Sequence, residues 1–510
     1  MKDRAAFGIL LLIRILSVFI VSTWFVPDEY WQSLEVAHKF VYGYGYLSWE
    51  WTKGIRSYLH PGIIAIVYKI LQLIGVDSTE MLIYVPRLLQ ATLSAFSDYC
   101  FWKWCGRTKW SMFCIGISWF WFYTASRTLL NTFETCLTTI ALSTFPFQKY
   151  SKHEKAEVDS TFLWVVGLSV AIRPTAAILW LPLCAYQLFT SRIAVSKNLL
   201  NLYLPVSLLI LIGSTAFDSI LHGSFVVTWW EFFASNVLDG VGEFYGSHPW
   251  HWYLSQGLVA VLGVQVVPFL IATVRVLKHR HVFIDELALL ASFTFAIFIY
   301  SFMGHKEFRF LMPLLPIALH ISADFLTVWS RKASDWLVWL VAVVLLVGNA
   351  LPAIYFSTMH QKGNLEVMTP LREIANKDPE NTNILFLMPC HSTPLYSHLH
   401  TNVTVRFLTC LPNLSKVDNY QDEADYFYKN PSTWIRNNYP PNKPLPSHIV
   451  SFDALLPHLS DILSRYKPIH RIYNTEFVSD ARIGRYVIVH ELVPTNKGEN
   501  SNSGRDKTSK

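Results

Sequence analysis

The feature that most constrains this chain is its opening apolar run, which extends from Gly8 to Val26 and is followed by two adjacent carboxylates. A run of about 20 apolar residues is long enough for a helix to cross a bilayer. Because lipid does not solvate charge, Asp28 and Glu29 must lie at a membrane–water boundary or in a cavity. Pro27 precedes them and predicts that the helix ends there. No small-residue cleavage site follows the run, so we predict a retained membrane anchor.

Further apolar runs indicate an integral membrane protein. Of the 510 residues, 52% are hydrophobic and 15% are charged, which excludes a large soluble enzyme. The apolar runs are 8–26, 82–101, 110–124, 133–147, 162–172, 175–190, 200–221, 254–274, 284–303, 309–329 and 335–356. Several are shorter than a perpendicular membrane helix, so some must be broken or buried among neighbours. We predict a polytopic α-helical protein with about eleven transmembrane helices.

Charge in the loops predicts the orientation of these helices. With a cytosolic N-terminus, the basic loops all face the cytosol, as the positive-inside rule requires. These loops are 102–109, 148–161 (Lys149, Lys152, Lys155), 191–199 (Arg192), 275–283 and 330–334. The opposite face receives 27–81, 125–132, Arg173-Pro174-Thr175, 222–253 and 304–308. The net charge of +6 is spread over many loops, so we expect no nucleic-acid partner.

Three regions follow from this pattern. Residues 1–357 are predicted to form the transmembrane domain, with 27–81 as its first loop and 60–76 as an interfacial helix within that loop. Residues 358–495 mix short β-prone runs with helical patterns and predict a small α/β domain on the non-cytosolic side. Residues 496–510 are polar and predict a disordered tail.

Four residues of the second domain are candidates for covalent modification. Cys390 and Cys410 are the two cysteines of this polar region, and an oxidising compartment would allow them to form a disulfide. Asn402 and Asn413 each begin an Asn-X-Ser/Thr triplet, the acceptor pattern for N-glycosylation, although such triplets are also common by chance.

The carboxylates of the first loop are candidates for proton transfer. Asp28 or Glu29 could act as a general base towards a hydroxyl, while the alternative is an acidic helix cap at the interface. Glu50 lies further along the same loop. Arg87 could snorkel, bind phosphate or pair with Asp28 or Glu29, and we favour pairing. Asp98 is eleven residues beyond Arg87, so the two could share a helical face without touching.

Four polar residues fall inside or beside apolar segments. Arg127, Asn131 and Glu134 are spaced four and three residues apart, which predicts a single helical face. Arg173 precedes Pro174 within an apolar stretch, which predicts a broken helix lining a cavity. An intramembrane arginine rarely lacks a role, so Arg173 is a candidate for function or for an essential ion pair.

Two short polar loops could bind a ligand. His305, Lys306 and Arg309 concentrate positive charge between two apolar helices, which suits a lipid phosphate, although a plain polar hairpin is the alternative. The loop 245–253 has the sequence YGSHPWHWY, whose rings would stack on a sugar or form an interfacial aromatic belt. Together these residues fit transfer from a lipid-phosphate donor, and they also fit a lipid or anion transporter.

Two motifs resemble a known family. Pro27-Asp28-Glu29, with Gln32, Glu35 and His38 and then GYGYLSWEW at 43–51, resembles the first lumenal loop of glycosyltransferase family 22. The run His305-Lys306-Glu307-Phe308-Arg309-Phe310 is similar to the second hallmark of that family. Further stretches resemble the members that act in GPI-anchor biosynthesis: 26–37, 127–135, 172–175, 244–253, 388–394 and 422–425.

The resemblance implies the GT-C fold and an endoplasmic reticulum membrane protein with a lumenal active site. It implies α1,2 transfer of the third mannose, with inversion, from dolichyl-phosphate-mannose to the GPI precursor glycolipid. Asp28 would be the base, with Glu29 second. The donor-phosphate ligands would be His305, Lys306, Arg309 and Arg173. No metal or other cofactor is expected, because fixed cations can stabilise the leaving phosphate.

The remaining candidate substrate-binding residues are Glu50, Arg87, Arg127, Glu134, His248, Trp250 and His251. Two alternatives remain. One is an N-glycan precursor mannosyltransferase of the same family. The other is a lipid transporter or scramblase, which the sequence favours less because transporters usually show paired repeats and this chain has one Arg-Pro break. The sequence identifies no protein partner.

Overall fold

The structure is a computed structural model of the chain, and it describes residues 2–148, 160–191, 193–478 and 480–494. Some predicted features lie outside the described residues: the loop residues Lys149, Lys152, Lys155 and Arg192, and the tail 496–510. The described part comprises a helical region followed by a mixed sheet near the C-terminus.

The first helix, α1 (Asp3–Ile20), ends well before Pro27, so the predicted stop at this proline is wrong. The chain turns extended after Ile20 because tertiary hydrogen bonds replace the helical ones. The amide of Ser22, for example, donates to the carbonyl of Ser357 at 2.9 Å. The two carboxylates after Pro27 therefore open a new helical segment and do not end the first one.

The first loop and the helix after it contain α2 (Glu35–Tyr42), α3 (Trp49–Thr52), α4 (Leu59–Leu73) and α5 (Thr79–Trp104). Helix α4 covers most of the predicted helical run 60–76 and ends at Leu73. Helices α1 and α5 are joined by a buried ion pair, in which Arg14 Nε lies 2.6 Å from Asp98 Oδ2. The eleven-residue spacing allows Asp98 to share a helical face with Arg87. In the structure, the partner of the Asp98 carboxylate is Arg14 on α1.

The next five helices are α6 (Lys109–Ile117), α7 (Trp119–Thr124), α8 (Leu130–Thr144), α9 (Thr161–Ile172) and α10 (Ala176–Thr190). The break predicted at Arg173-Pro174-Thr175 is confirmed, since α9 ends at Ile172 and α10 begins at Ala176. Arg173 has extended backbone angles, and Pro174 cannot donate a helical hydrogen bond.

The described residues then form α11 (Val195–Asn198), α12 (Leu204–His222), α13 (Thr228–Phe233), α14 (Leu258–Leu262), α15 (Val266–Lys278), α16 (Ile284–Phe302), α17 (Leu315–Ser330) and α18 (Asp335–Thr358). Five helical segments of the described chain are long and apolar enough to cross a membrane: Val195–His222, Tyr253–Lys278, Ile284–Phe302, Phe308–Ser330 and Asp335–Lys377. The protein is therefore a multi-pass membrane protein. Helix α5 has 26 residues, but it is not among these five segments.

The C-terminal region contains α19 (Gly363–Glu366), α20 (Met368–Lys377), β1 (Asn383–Leu387), α21 (Tyr396–Leu399), β2 (Thr404–Phe407), α22 (Glu423–Lys429), α23 (Pro431–Asn438), β3 (His448–Phe452), α24 (Ser460–Leu463), β4 (Tyr466–Tyr473) and β5 (Tyr486–Leu492). The strand order is β2-β1-β3-β5-β4. Strand β1 is parallel to β2 and β3, while β5 is antiparallel to β3 and β4. The loops after β1 and β2 therefore emerge at one edge of the sheet.

This sheet packs directly on the first loop. Trp31 belongs to the same buried apolar cluster as Ile384 of β1. The buried carboxylate of Glu35 accepts hydrogen bonds from the backbone amides of Leu395 (2.8 Å) and Ser397 (3.1 Å). Since a carboxylate satisfied by several amides holds a chain segment firmly, these contacts fix the loop after β1 beside the start of the first loop.

Candidate active site

A cavity of about 470 Å³ lies where the first loop, the break after α9, the loop before α17 and the C-terminal sheet region meet. Its lining includes Asp28, Gln32, Trp49, Glu50, Arg56, Asn131, Arg173, Tyr245, His248, His305, Lys306, Glu307, Arg309, Phe310, Cys390, His391 and Cys410. Many of the polar residues singled out from the sequence thus share one cavity.

Asp28 lies on the wall of this cavity and forms an ion pair with Arg309. Its side chain is 18% exposed, so a ligand can reach it. Arg309 is also bound by Glu307, with Nε 2.7 Å from Oε2. Among the described residues, the hydrogen bond of the Asp28 carboxylate uses Oδ2 and leaves Oδ1 for a ligand. The pair therefore fixes the carboxylate with one oxygen available to a substrate hydroxyl.

Glu29 faces a different environment from its neighbour. It is 2% exposed, and Arg127 Nη1 lies 2.7 Å from its Oε2. Arg127 also donates to Thr23 Oγ1 at 3.2 Å. Glu29 and Arg127 line a separate, smaller cavity of about 180 Å³. Of the two candidate bases, the structure places only Asp28 on the wall of the larger cavity.

Glu307 connects the basic residues of the loop before α17. His305 Nε2 lies 2.9 Å from Glu307 Oε1, while Arg309 binds the same carboxylate. Although burial raises the pKa of Glu307, Arg309 and His305 lower it more, so it lies well below its ordinary value. Burial lowers the pKa of His305, but Glu307 outweighs this effect and raises it above 6.5. The loop therefore favours an ionised Glu307 and a protonated His305.

Lys306 is the cation of this loop with the least compensated charge. Its Nζ donates to the carbonyl of His248 at 2.9 Å and to that of Met303. Within the described ranges, no carboxylate forms an ion pair with it, whereas Arg309 is shared between two carboxylates. Carbonyl oxygens orient an ammonium group without cancelling its charge. Lys306 is thus the best-placed cation for a ligand phosphate.

Arg173 enters the cavity from the break between α9 and α10. Its Nη1 lies 3.1 Å from Glu134 Oε2, and its guanidinium lies 5.0 Å from the ring centroid of Phe310. The predicted single face for Arg127, Asn131 and Glu134 is wrong for Arg127, because α8 begins only at Leu130. Asn131 lines the cavity, while Glu134 lies behind it and orients Arg173.

The first loop contributes a second polar wall. Glu50 Oε1 lies 2.6 Å from Arg56 Nη2, and Gln32 Nε2 donates to Glu50 Oε2 at 3.1 Å. Trp49 Nε1 donates to the hydroxyl of Tyr245 at 2.8 Å. Planar polar groups beside aromatic rings are typical of a sugar-binding surface.

Besides Glu29, Arg127 and Glu134, three further predicted residues do not line this cavity. Arg87 does not form the predicted ion pair with Asp28 or Glu29; its Nη2 donates to the carbonyl of Val21 at 2.7 Å. This carbonyl is available because α1 has already ended. The other two belong to the aromatic loop: Trp250 is 67% exposed, and the exposed His251 contacts Ser255. Of that loop's three candidates, His248 alone is in the lining.

The modification candidates divide between the cavity and the surface. Cys390 and Cys410 form a disulfide with a Cα–Cα distance of 5.9 Å, and both line the cavity. Asn402 is exposed, whereas both side-chain atoms of the Asn413 amide bond to the backbone of Val417.

Glu307 and His391 are site residues that the sequence interpretation did not select. The signal for each was present, since Glu307 lies inside the predicted phosphate loop and His391 follows Cys390. Their roles depend on tertiary contacts that no spacing reveals.

The fold is that of the GT-C membrane glycosyltransferases. The structure is similar to ArnT from Cupriavidus metallidurans bound to undecaprenyl phosphate, with a TM-score of 0.55 at 13% identity over 95% of this chain and 97% of that one. It is also similar to the Archaeoglobus fulgidus oligosaccharyltransferase, with a TM-score of 0.54 at 15% identity over 96% and 76%.

The sequence model of the Alg9-like mannosyltransferase family matches residues 5–400. GPI mannosyltransferase 3 of Drosophila melanogaster is 48% identical over 93% of this chain and 84% of its own length. GPI alpha-1,2-mannosyltransferase 3 of Homo sapiens is 39% identical over 94% and 85%. The chain therefore belongs to the Alg9-like mannosyltransferase family, which confirms the predicted family. It is a membrane mannosyltransferase.

Proposed function

We propose that this chain transfers the third mannose of the GPI precursor glycolipid in α1,2 linkage, with dolichyl-phosphate-mannose as donor. The activity of its relatives, the GPI alpha-1,2-mannosyltransferases 3 of Danio rerio and Homo sapiens, supports the acceptor class and the linkage. The likeness to ArnT bound to undecaprenyl phosphate supports a donor carried on a polyprenyl phosphate. The endoplasmic reticulum membrane, with the cavity on its lumenal side, is the compartment that such substrates imply.

The single observation that carries this proposal is that Asp28 and Lys306 share one cavity. In the proposed reaction, Lys306 and His305 bind the donor phosphate. Arg309 holds Asp28 in place and is itself held by Glu307. Arg173 adds positive charge from the break after α9 and is oriented by Glu134.

The chemistry is a single displacement. The acceptor 2-hydroxyl attacks C1 of the donor mannose while its proton passes to the Asp28 carboxylate. The bond from C1 to the phosphate oxygen breaks, and dolichyl phosphate leaves with the bonding electrons. One displacement inverts the configuration at C1, so a β-linked donor gives an α-linked product.

We propose that side-chain cations alone stabilise the leaving phosphate. Lys306 and His305 lie in a partly buried site where fixed positive charge acts strongly on developing negative charge. Cys390, His391 and Cys410 are grouped closely enough to resemble a metal site. The two cysteines are joined in a disulfide, however, and a disulfide sulfur is not a thiolate ligand.

Analysis of the GPI intermediates that accumulate after depletion of the protein tests the proposal. We expect a species with two mannoses, cleared when the wild-type chain is restored and not when Asp28→Asn is restored. Accumulation of a truncated dolichyl-linked N-glycan precursor, with GPI intermediates unchanged, would instead support the alternative within the family. Normal levels of both glycolipids would refute the proposal.

A further inference from the structure

The membrane helices do not complete the active-site cavity, because the C-terminal sheet region contributes one wall. Cys390 and His391 follow the carboxyl end of β1, and Cys410 follows that of the adjacent parallel strand β2. The disulfide joins these two loops, and all three residues line the cavity that contains Asp28. Loops at the carboxyl ends of parallel strands are a common place for ligand binding.

Packing places His391 next to the proposed base. Asp28 and Trp31 are three residues apart on one helical segment, so their side chains project from the same face. The ring centroids of Trp31 and His391 are 4.2 Å apart, and Trp31 Nε1 donates to the carbonyl of Thr393 at 3.1 Å. His391 has a left-handed φ of 58°, which is uncommon for a residue with a side chain. The loop thus aims this imidazole at the cavity.

The surroundings of His391 differ from those of the loop before α17. Burial lowers the pKa of His391 to about 4, although Asp28 acts in the opposite direction. The ring is therefore neutral at neutral pH and presents one donor and one acceptor nitrogen. Next to it, the carbonyl of Cys410 accepts a hydrogen bond from Tyr245, which in turn accepts one from Trp49. His391, Tyr245 and Trp49 thus form a neutral, aromatic part of the cavity lining, which we call the His391 wall.

We propose that the His391 wall, fixed by the Cys390–Cys410 disulfide, binds the terminal sugar of the acceptor glycan beside Asp28. This inference rests on the proposed function, and it assigns the acceptor to a part of the cavity that the donor phosphate does not use. A phosphate binds where positive charge is least compensated, which in the loop before α17 is at Lys306. A neutral hexose instead needs a hydrogen-bond donor and acceptor beside a flat apolar face. His391 provides the donor and acceptor, and the rings of Trp49 and Tyr245 provide the face.

Separate Michaelis constants for donor and acceptor test the assignment. With purified full-length protein, dolichyl-phosphate-mannose and a synthetic two-mannose acceptor, we expect His391→Ala to raise the acceptor KM roughly three- to tenfold, the size of one lost hydrogen bond. The donor KM should stay within twofold of wild type. His391→Gln, which keeps a donor and an acceptor, should recover part of the loss. His470→Ala, at an exposed position on β4, is the matched control.

A second variant tests the role of the disulfide. Replacing both cysteines with serine (Cys390→Ser, Cys410→Ser) should raise the acceptor KM in the same direction, because the loop would no longer be fixed against β2. An acceptor KM unchanged in His391→Ala, or a donor KM raised equally, would overturn the inference even with an active wild type. A wild-type protein unable to use the two-mannose acceptor would overturn the proposed function itself.

Discussion

Asp28 and Glu29 are adjacent carboxylates whose surroundings separate them into two roles. Asp28 pairs with Arg309, 281 positions away, while Glu29 pairs with Arg127, 98 positions away. The sequence identifies both as candidate bases, because an acidic pair after an apolar run must avoid lipid. It cannot choose between them, since the choice depends on which distant arginine each one meets.

Replacing Asp28 with asparagine should remove catalysis and leave the fold intact. Asparagine has nearly the same shape but accepts no proton, so we expect mannose transfer to fall by about 10²–10⁴-fold, the usual contribution of a general base. Transfer to the two-mannose acceptor, normalised to protein abundance, measures this. Activity above about a tenth of wild type would exclude Asp28 as the base.

The matched variant Glu29→Gln should show a different defect. It leaves Arg127 buried without its charged partner, which typically costs about 3–5 kcal/mol. We therefore expect lower abundance and a lower unfolding temperature, with the remaining folded protein still active. Normal stability combined with lost turnover would reverse the assignment of the two carboxylates.

Lys306 should control use of the donor. Lys306→Ala removes the least compensated charge of this loop from the phosphate site, so we expect the donor KM to rise about 10- to 100-fold, as for a lost charged hydrogen bond. Lys306→Arg keeps the charge and should lose less, and Lys332→Ala, at an exposed position, serves as control. An unchanged dependence on donor concentration would rule out the phosphate role.

At the scale of elements, helix breaks were more predictable than helix ends and contacts. Proline beside arginine predicts the break after α9, because proline removes a hydrogen bond and arginine needs a partner or water. The end of α1 depends instead on hydrogen bonds to residues near 357, which local sequence does not reveal. The same reason explains why Arg87 contacts a backbone carbonyl and not a carboxylate.

The loop before α17 should make donor binding depend on pH. Glu307 raises the pKa of His305 above its ordinary value, so the imidazolium persists to higher pH than in a free histidine and is lost as pH rises through that raised value. We expect the donor KM to increase with pH over this range. Glu307→Gln removes the charge that raises the pKa and should move the increase to lower pH.

Donor KM measured between about pH 6 and 8 provides the comparison. Glu50→Gln removes a carboxylate from the same cavity without contacting His305, so its profile should keep the wild-type midpoint. Superimposable profiles for wild type and Glu307→Gln would contradict this account of the loop.

At the scale of the whole molecule, the C-terminal sheet packs on the first loop, so both must face one side of the membrane. If that side is the lumen, Asn402 is the sequon that can carry a glycan, because it is exposed while the amide of Asn413 is bonded to Val417. Asn402→Gln should abolish an endoglycosidase-sensitive mobility shift, and Asn413→Gln should not. A shift that depends on Asn413 alone would contradict this reading of the two sites.

The proposed reaction requires a base and a phosphate site that act together on a lipid-linked sugar. The most direct measurement is single-turnover transfer by the purified protein in liposomes that contain dolichyl-phosphate-mannose and the two-mannose acceptor. We predict one added mannose in α1,2 linkage, formed without a nucleotide sugar and absent with Asp28→Asn. A β-linked product, or equal transfer from GDP-mannose in the absence of the lipid donor, would contradict it.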